Sequence, residues 1–319
     1  MKKKVILDVD TGVDDALGIM LAVRSGQFDL HGITTVNGNV SLEQATVNTC
    51  KILQLLGAED IPVIQGANKP LLRPVHYEHR VHGKDGLGGA LRDMPVHKKP
   101  SEGHAADFLV DQVRSNPGEM TLVMTGPLTN LALALMKYPE LVRDVKEVIV
   151  MGGVVLGFGN ITPTAEYNMF VDPEAAKLVL QAGFPSLTLV GLDVTRKALL
   201  TEEHIRELGD TDIGRYVWES TADYLQRYYD RNGVRACAMH DPLAVAVALN
   251  PELVTTKRYY VDVETRSDLC DGQTVCDFQN RLLKEPNVNV CTDVAVDAFL
   301  KLFIRTLREQ RTDEQENQT

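Results

Sequence analysis

The sequence predicts an α/β protein: a single domain with a mostly parallel central sheet flanked by helices. Two observations carry this. Apolar runs of strand length alternate with segments of helical period through the first two thirds of the chain, and no internal repeat or low-complexity linker divides it. A third observation gives the sheet a working edge. The aspartates after Val9, the Asn37-Gly38-Asn39 run, Thr125-Gly126-Pro127 and Met151-Gly152-Gly153 all follow apolar strands, where open parallel sheets bind ligands.

The elements follow in order. Residues 5–9 read as a strand, and 14–23 as a helix with Ala16, Leu17, Met20 and Leu21 on its apolar side. Residues 33–36 form a strand and 41–56 a helix capped by Ser41. Next come a strand at 62–64, a helix at 105–114, a strand at 121–124 and a helix at 128–136. A strand at 148–150, a helix at 173–181 and a strand at 187–190 complete the alternation. Beyond it, 202–208, 213–229 and 242–249 look helical, 259–263 and 288–290 look like strands, and 292–307 is a closing helix. The domain spans residues 1–308, and the polar tail 309–319 lacks a core pattern. Residues 66–103 and 152–167 are long, glycine-rich connections, and long ordered loops in a compact domain are commonly functional.

Composition narrows the partners. Hydrophobic residues make up 44% of the 319, enough for a sizeable core, and a net charge of −11 argues against nucleic acid or an anionic membrane. The apolar run behind Lys2-Lys3-Lys4 reaches only Leu7, too short for a signal core or a membrane span. Cys50, Cys237, Cys270, Cys276 and Cys291 are odd in number and contain no Cys-x-x-Cys pair, which suits reduced thiols in a cytoplasmic protein rather than a zinc site.

The chemistry concentrates behind the first strand. Asp8, Asp10, Asp14 and Asp15 put four carboxylates into eight residues. Like charge at this density is costly without a cation among it, and an all-oxygen set suits Ca2+ or Mg2+ better than zinc. Asp8 and Asp10 share one side of a strand, while Asp14 and Asp15 fall in a first helical turn, where negative charge is favoured. Either of the latter alone reads as ordinary capping; the four together read as a metal site. His240-Asp241-Pro242 has a strong local explanation as a helix start, the device repeated at Asp172-Pro173 and Asn250-Pro251, so Asp241 reads locally as a cap and His240 as structural.

Other groups are less committal. Asn160, Glu166, Tyr167 and Asn168 form a polar group suited to a hydroxyl-rich ligand such as a ribose, or equally to a hydrogen-bonded loop. The run from His82 to Gly88 is glycine-rich enough to approach a ligand closely, although neither it nor Gly157-Phe158-Gly159 has phosphate-loop spacing. Tyr224, Tyr228 and Tyr229 read as a half-buried aromatic stripe.

Together these blocks resemble the calcium-dependent nucleoside hydrolases, in the inosine-uridine preferring branch. The family's opening Asp-x-Asp-x-Gly-x-Asp-Asp is matched by Asp8, Asp10, Gly12, Asp14 and Asp15, with Thr11 where many members carry Pro. Gly38-Asn39, His82-Gly83 with Asp85 to Gly88, Thr125 to Asn130, Met151 to Gly153, Glu166 to Asn168 and His240 to Pro242 follow in family order. The resemblance implies a nucleoside hydrolase fold, a Rossmann-like open sheet, and cleavage of ribonucleosides to ribose and free base. It implies that Asp10, Asp15, Asp241 and the main-chain carbonyl of Thr125 hold Ca2+, that a Ca2+-bound water is the nucleophile and that Asp10 is its base, with Asp8 orienting the site from behind. It assigns Asp14, Asn39, Asn160, Glu166 and Asn168 to the ribose and places Met151 and Tyr167 in the substrate site. His240 is the candidate leaving-group acid, assisted by His82 and Tyr228. It also implies a homodimer or homotetramer.

Two rivals remain at this level. Asp8-Val9-Asp10-Thr11 fits the Asp-x-Asp-x-Thr start of a haloacid-dehalogenase-like Mg2+ phosphatase with Asp8 as nucleophile, which leaves Asp14 and Asp15 unexplained. A non-catalytic nucleoside- or Ca2+-binding protein on the same scaffold is the other.

Overall fold

A computed structural model describes residues 2–309. The expected tail lies outside the described residues, apart from Glu309. Twelve strands are present: β1 (Lys3–Val9), β2 (Phe28–Thr35), β3 (Val63–Gln65), β4 (Thr121–Met124), β5 (Glu147–Met151), β6 (Leu187–Val190), β7 (Leu199–Thr201), β8 (Ala236–Ala238), β9 (Val254–Tyr259), β10 (Val261–Val263), β11 (Thr274–Cys276) and β12 (Val288–Val294). Eight make the central sheet in the order β3-β2-β1-β4-β5-β6-β12-β9. All neighbours in it are parallel except β12 and β9, so the sheet is mostly parallel, as predicted.

The strand order runs outward both ways from β1, which pairs with β2 on one side and β4 on the other. That reversal of winding leaves a crevice at the carboxyl end of β1. Alternation along β1 sends Val5, Leu7 and Val9 into one apolar cluster and Ile6 into another on the opposite face, so both faces of the sheet are covered. The helix Val13–Arg24 follows at once, and its residues from Val13 to Val23 are all buried. It packs against the helix His240–Leu249 at Gly18, where an added Cβ would lie 3.5 Å from the main-chain carbonyl carbon of Asp241. That crossing brings residue 241 beside residues 14 and 15.

Several expectations are corrected. The closing helix begins at Val296, because Thr292–Val294 end β12; Asp293 and Val294 pair with β9 beyond a register shift at Thr292. The strand expected at 259–263 breaks at Tyr260 into β9 and β10, which belong to different sheets. The short β7, β8 and β11 and the short helices His79–His82, Leu141–Asp144, Tyr167–Val171 and Leu192–Thr195 were not foreseen, since three to five residues carry too little periodicity. Ser41 caps the helix Leu42–Leu55 as expected, accepting the Gln44 N–H. None of the five cysteines is disulfide-bonded, and among the described residues no helix is long and apolar enough to cross a membrane.

Candidate active site

The carboxyl ends of β2, β1, β4 and β5 lie side by side, so the four loops expected at one edge do meet there. Above them is a cavity of about 540 Å3, within the roughly 300–1,000 Å3 usual for small-molecule sites. Asp14, Asn39, His82, Thr125, Met151, Asn160, Glu166, Tyr167, Asn168, Tyr228, His240 and Asp241 all line it. Asp8, Asp10 and Asp15 are buried and are not among its lining residues.

The aspartates are buried to an unusual degree. Asp8, Asp10, Asp14, Asp15 and Asp241 are each 7% exposed or less. Burial pushes the Asp10, Asp15 and Asp241 carboxyls upward, Asp14 to about 8 and Asp8 to about 7; neighbouring carboxylates add to this except at Asp15, where hydrogen bonds oppose it. Ligand oxygens of Asp14, Asp15 and Asp241 come within 4.8 Å of one another. Asp10 Oδ2 accepts the Asn39 N–H at 2.7 Å, while Asp10 Oδ1 and Asp14 Oδ1 are buried with no partner. Asp8 Oδ1 is orphaned as well. Buried acceptors are normally satisfied, so orphaned carboxylate oxygens at Asp10 and Asp14 close to Asp15 and Asp241 fit a cation seat. Glycine permits this closeness: an added Cβ on Gly38 would fall 2.0 Å from Asp10 Oδ2.

Each aspartate is held differently. Asp15 accepts from Gly12 N, Asn39 Nδ2 and the Thr125 hydroxyl at 2.9, 3.2 and 2.9 Å. Asp8 accepts from the Thr34 hydroxyl and Asn130 Nδ2, which fix β1 to its neighbours. Asp241 does not cap its helix, contrary to the local reading: the helix starts at His240, and Asp241 occupies its first turn facing Asp14 and Asp15. Asp172 and Asn250 do cap as expected.

Several groups expected to meet a ligand are already committed to protein. Glu166 accepts the N–H groups of Asn168, Gly153 and Met169, capping the short helix Tyr167–Val171. The Tyr167 hydroxyl is taken by the carbonyls of Gly38 and His76, tying three loops together. Asn168 Nδ2 donates to Thr125 O at 2.7 Å and Met151 O at 3.2 Å, and Asn160 Oδ1 accepts the Tyr167 N–H. What these side chains leave over for a ligand is Asn160 Nδ2 and Asn168 Oδ1, with Asn39 Oδ1 and the free Asp14 Oδ1 alongside. The Thr125 carbonyl retains a second lone pair.

The glycines after His82 are also corrected. Their close approach is to protein, not ligand: a Cβ at Gly86 would strike Asn48 and one at Gly88 the Ser220 carbonyl, and both sit at positive φ. Only His82 from this run reaches the cavity. Its Nδ1 accepts the Val13 N–H at 3.1 Å, and burial lowers its pKa to about 3, so its 3.8 Å approach to Asp14 is not an ion pair. His240 is lowered to about 4 by burial and by the Arg196 guanidinium. Tyr224 and Tyr228 line the cavity with rings 6.5 Å apart, while Tyr229 packs on Arg235 outside it.

Arg196 is a lining residue that the motifs missed. It donates to the carbonyls of Phe158 and Gly159 and lies 4.3 Å from the Phe158 ring, bracing the glycine-rich loop over the opening. Its position just beyond β6, at the same sheet edge, was the available signal.

Residues 5–301 match the family described as inosine-uridine preferring nucleoside hydrolase. The chain belongs to that family. It is 37% identical over 313 residues to the inosine-uridine preferring nucleoside hydrolase of Crithidia fasciculata, covering 96% of this chain and 98% of the relative. It is 38% identical over 310 residues to the pyrimidine-specific ribonucleoside hydrolase RihA of Citrobacter koseri, covering 96% and 98%. Among solved structures, a purine-preferring ribonucleoside hydrolase from Gardnerella vaginalis superposes with a TM-score of 0.89 at 34% identity, covering 96% of this chain and 98% of that one. Nucleoside hydrolases are N-glycosidases that release the base from ribonucleosides. The phosphatase alternative fails on the geometry too, because Asp8, its required nucleophile, is buried and engaged by Thr34 and Asn130.

Proposed function

We propose that the chain hydrolyses ribonucleosides to ribose and free base with Ca2+ held by Asp10, Asp15, Asp241 and the Thr125 carbonyl. The observation that carries this is the orphaned Asp10 Oδ1, buried close to the Asp15 and Asp14 carboxylates. The Asp14, Asp15 and Asp241 oxygens lie within 4.8 Å of one another and Asp10 is outside that group. The proposed seat adds Asp10 through its orphaned Oδ1 and gives Asp14 to the sugar. When bound, the cation lowers the pKa of water and so supplies a nucleophile at neutral pH.

The chain's own groups do the rest. Asp10 is the base that accepts the proton of the attacking water. Asp14, Asn39, Asn160 and Asn168 grip the ribose hydroxyls through the atoms the scaffold leaves free, and the carboxylates favour the positive charge that develops on the sugar. Glu166 acts at the sugar end by fixing the short helix that carries Tyr167 and Asn168. Met151 supplies apolar floor, and His240, with His82 and Tyr228 nearby, faces the departing base.

The test is ribose release from inosine, adenosine, guanosine, uridine, cytidine and a 2′-deoxynucleoside. Ribonucleosides are expected to be cleaved and the deoxy substrate strongly disfavoured, because a site built to hydrogen-bond a hydroxyl rejects the analogue that lacks it by roughly 10,000-fold or more. Nucleoside binding by calorimetry without ribose formation would favour the non-catalytic alternative. The same purified protein, sedimented, reads the expected dimer or tetramer.

Metal-free stability follows from the raised carboxyls. A carboxyl whose folded-state pKa lies above its ordinary value of 3.8 destabilises the folded state progressively as pH rises past that value. The loss levels off above about 7 for Asp8 and about 8 for Asp14. Urea unfolding of chelated protein should therefore show stability falling between about pH 4 and pH 8. Ca2+ should restore it at the upper end, by about 2.7 kcal/mol at a hundredfold excess over Kd. A metal-free protein with flat stability across that window would contradict the cation seat.

A further inference from the structure

Thr195 and His240 are brought together by a device separate from the metal seat. The antiparallel ribbon of β7 and β8 pairs Leu199 with Ala238, so the chain four residues before one strand meets the chain two residues after the other. Met239 N donates to Ala198 O at 2.9 Å, and Thr195 N to Gly191 O at 3.1 Å, which fixes both ends of this corner. The result is a 2.7 Å hydrogen bond between Thr195 Oγ1 and His240 Nδ1.

Its direction follows from satisfaction of donors. Thr195 is 0% exposed, and His240 Nδ1 is the only partner that its hydroxyl has among the described residues. If Nδ1 carried the ring proton, the buried hydroxyl hydrogen would have no acceptor, at a cost of about 1–3 kcal/mol. If the hydroxyl donates instead, both groups are satisfied and the ring proton must sit on Nε2. Among the described residues Nε2 has no hydrogen-bond partner, and it is the ring nitrogen left to the cavity that His240 lines.

We infer that Thr195 is a positioning residue which donates its hydroxyl hydrogen to His240 Nδ1, holding the ring so that Nε2–H faces the departing base. This rests on the assignment of His240 to the leaving group made above. With the opposite tautomer, Nε2 would present a lone pair to a base that gains negative charge as the N-glycosidic bond breaks. No proton is transferred to or from Thr195; it selects which ring nitrogen bears one.

The experiment compares wild type, Thr195→Val and Thr195→Ser at neutral pH in the Ca2+-loaded protein. Thr195→Val keeps the shape and removes the donor; Thr195→Ser keeps the donor. Thr195→Val is expected to lower kcat on the best natural ribonucleoside by roughly 10- to 100-fold, the usual cost of losing a partner that orients an imidazole. KM should change little, p-nitrophenyl riboside hydrolysis should be nearly unaffected, and Thr195→Ser should recover most of the loss. In 15N-histidine spectra, wild type and Thr195→Ser should show His240 protonated at Nε2, assigned by loss of the signal in His240→Ala. Equal losses on both substrates, failure of serine to rescue, or a wild-type His240 protonated at Nδ1 would overturn the inference. The last reading needs no Thr195 variant to fold. If His240→Ala itself spares natural substrates, the leaving-group assignment fails; if it impairs them while Thr195→Val does not, only the role of Thr195 fails.

Discussion

Asp10→Ala is expected to abolish ribose release while leaving the far-ultraviolet circular dichroism unchanged. Removal of a general base alone costs roughly 100- to 10,000-fold in rate. Here the same side chain is also proposed as a ligand, so the loss should exceed that of either function alone. The fold should survive, because Asp10 makes only one side-chain hydrogen bond, to Asn39 N, and leaves its other oxygen buried without a partner. Removing a buried carboxyl that costs free energy to ionise should not weaken the metal-free protein. Asp10→Asn sharpens the result, since it keeps the volume and loses the basic oxygen. Substantial ribose release by Asp10→Asn would show that another group activates the water.

His240→Ala is expected to lower turnover on inosine or uridine by roughly 100- to 1,000-fold, the cost of removing a hydrogen-bond donor aimed at charge that develops in the transition state. The loss on p-nitrophenyl riboside should be far smaller, because nitrophenolate leaves without such help. His240 lines the cavity and its Nδ1 is tied to Thr195, so its other ring nitrogen is the one available to the base. Burial and Arg196 keep the ring neutral at pH 7, which makes a hydrogen bond from N–H its contribution, not the charge of an imidazolium. Equal losses on both substrates would remove His240 from the leaving-group role and leave it a positional one.

Much of this arrangement was legible in the sequence because it is local. The strand before Asp8, the turn at Gly12 and the helix behind Asp14 are consecutive, and their apolar periodicity is unambiguous. Asp241 shows where locality ends. Beside Pro242 it looks like a cap, and only the close crossing of two helices at Gly18 turns it toward Asp14 and Asp15. The resemblance assigned it to the metal where the local pattern pointed to a cap.

The polar loop shows the converse limit. Residue types alone left Glu166, Tyr167 and Asn168 divided between ligand and scaffold. Their hydrogen bonds show that they serve the scaffold with most of their polar atoms, and only selected atoms remain for a sugar. Thr195 and Arg196 were invisible for a different reason. Thr195 ends a four-residue helix beyond β6 and Arg196 follows it, and the β7–β8 ribbon that brings Thr195 to His240 consists of two three-residue strands. Such elements are fixed by tertiary pairing, not by propensity.

The relatives divide over the base: the curated names include a pyrimidine-specific and an inosine-uridine preferring hydrolase, and a matching structure is purine-preferring. Tyr224 and Tyr228 on the helix Asp212–Asn232 line the cavity together with His82, and the substrate panel reads which base this chain prefers.

The central claim is that the buried aspartates work by holding a divalent cation. It is tested most directly by ribose release from protein stripped with EGTA, verified metal-free by elemental analysis, and then titrated with Ca2+. Activity should vanish on stripping and return in step with one bound Ca2+ per chain. Full activity in protein shown to contain no divalent metal would contradict it.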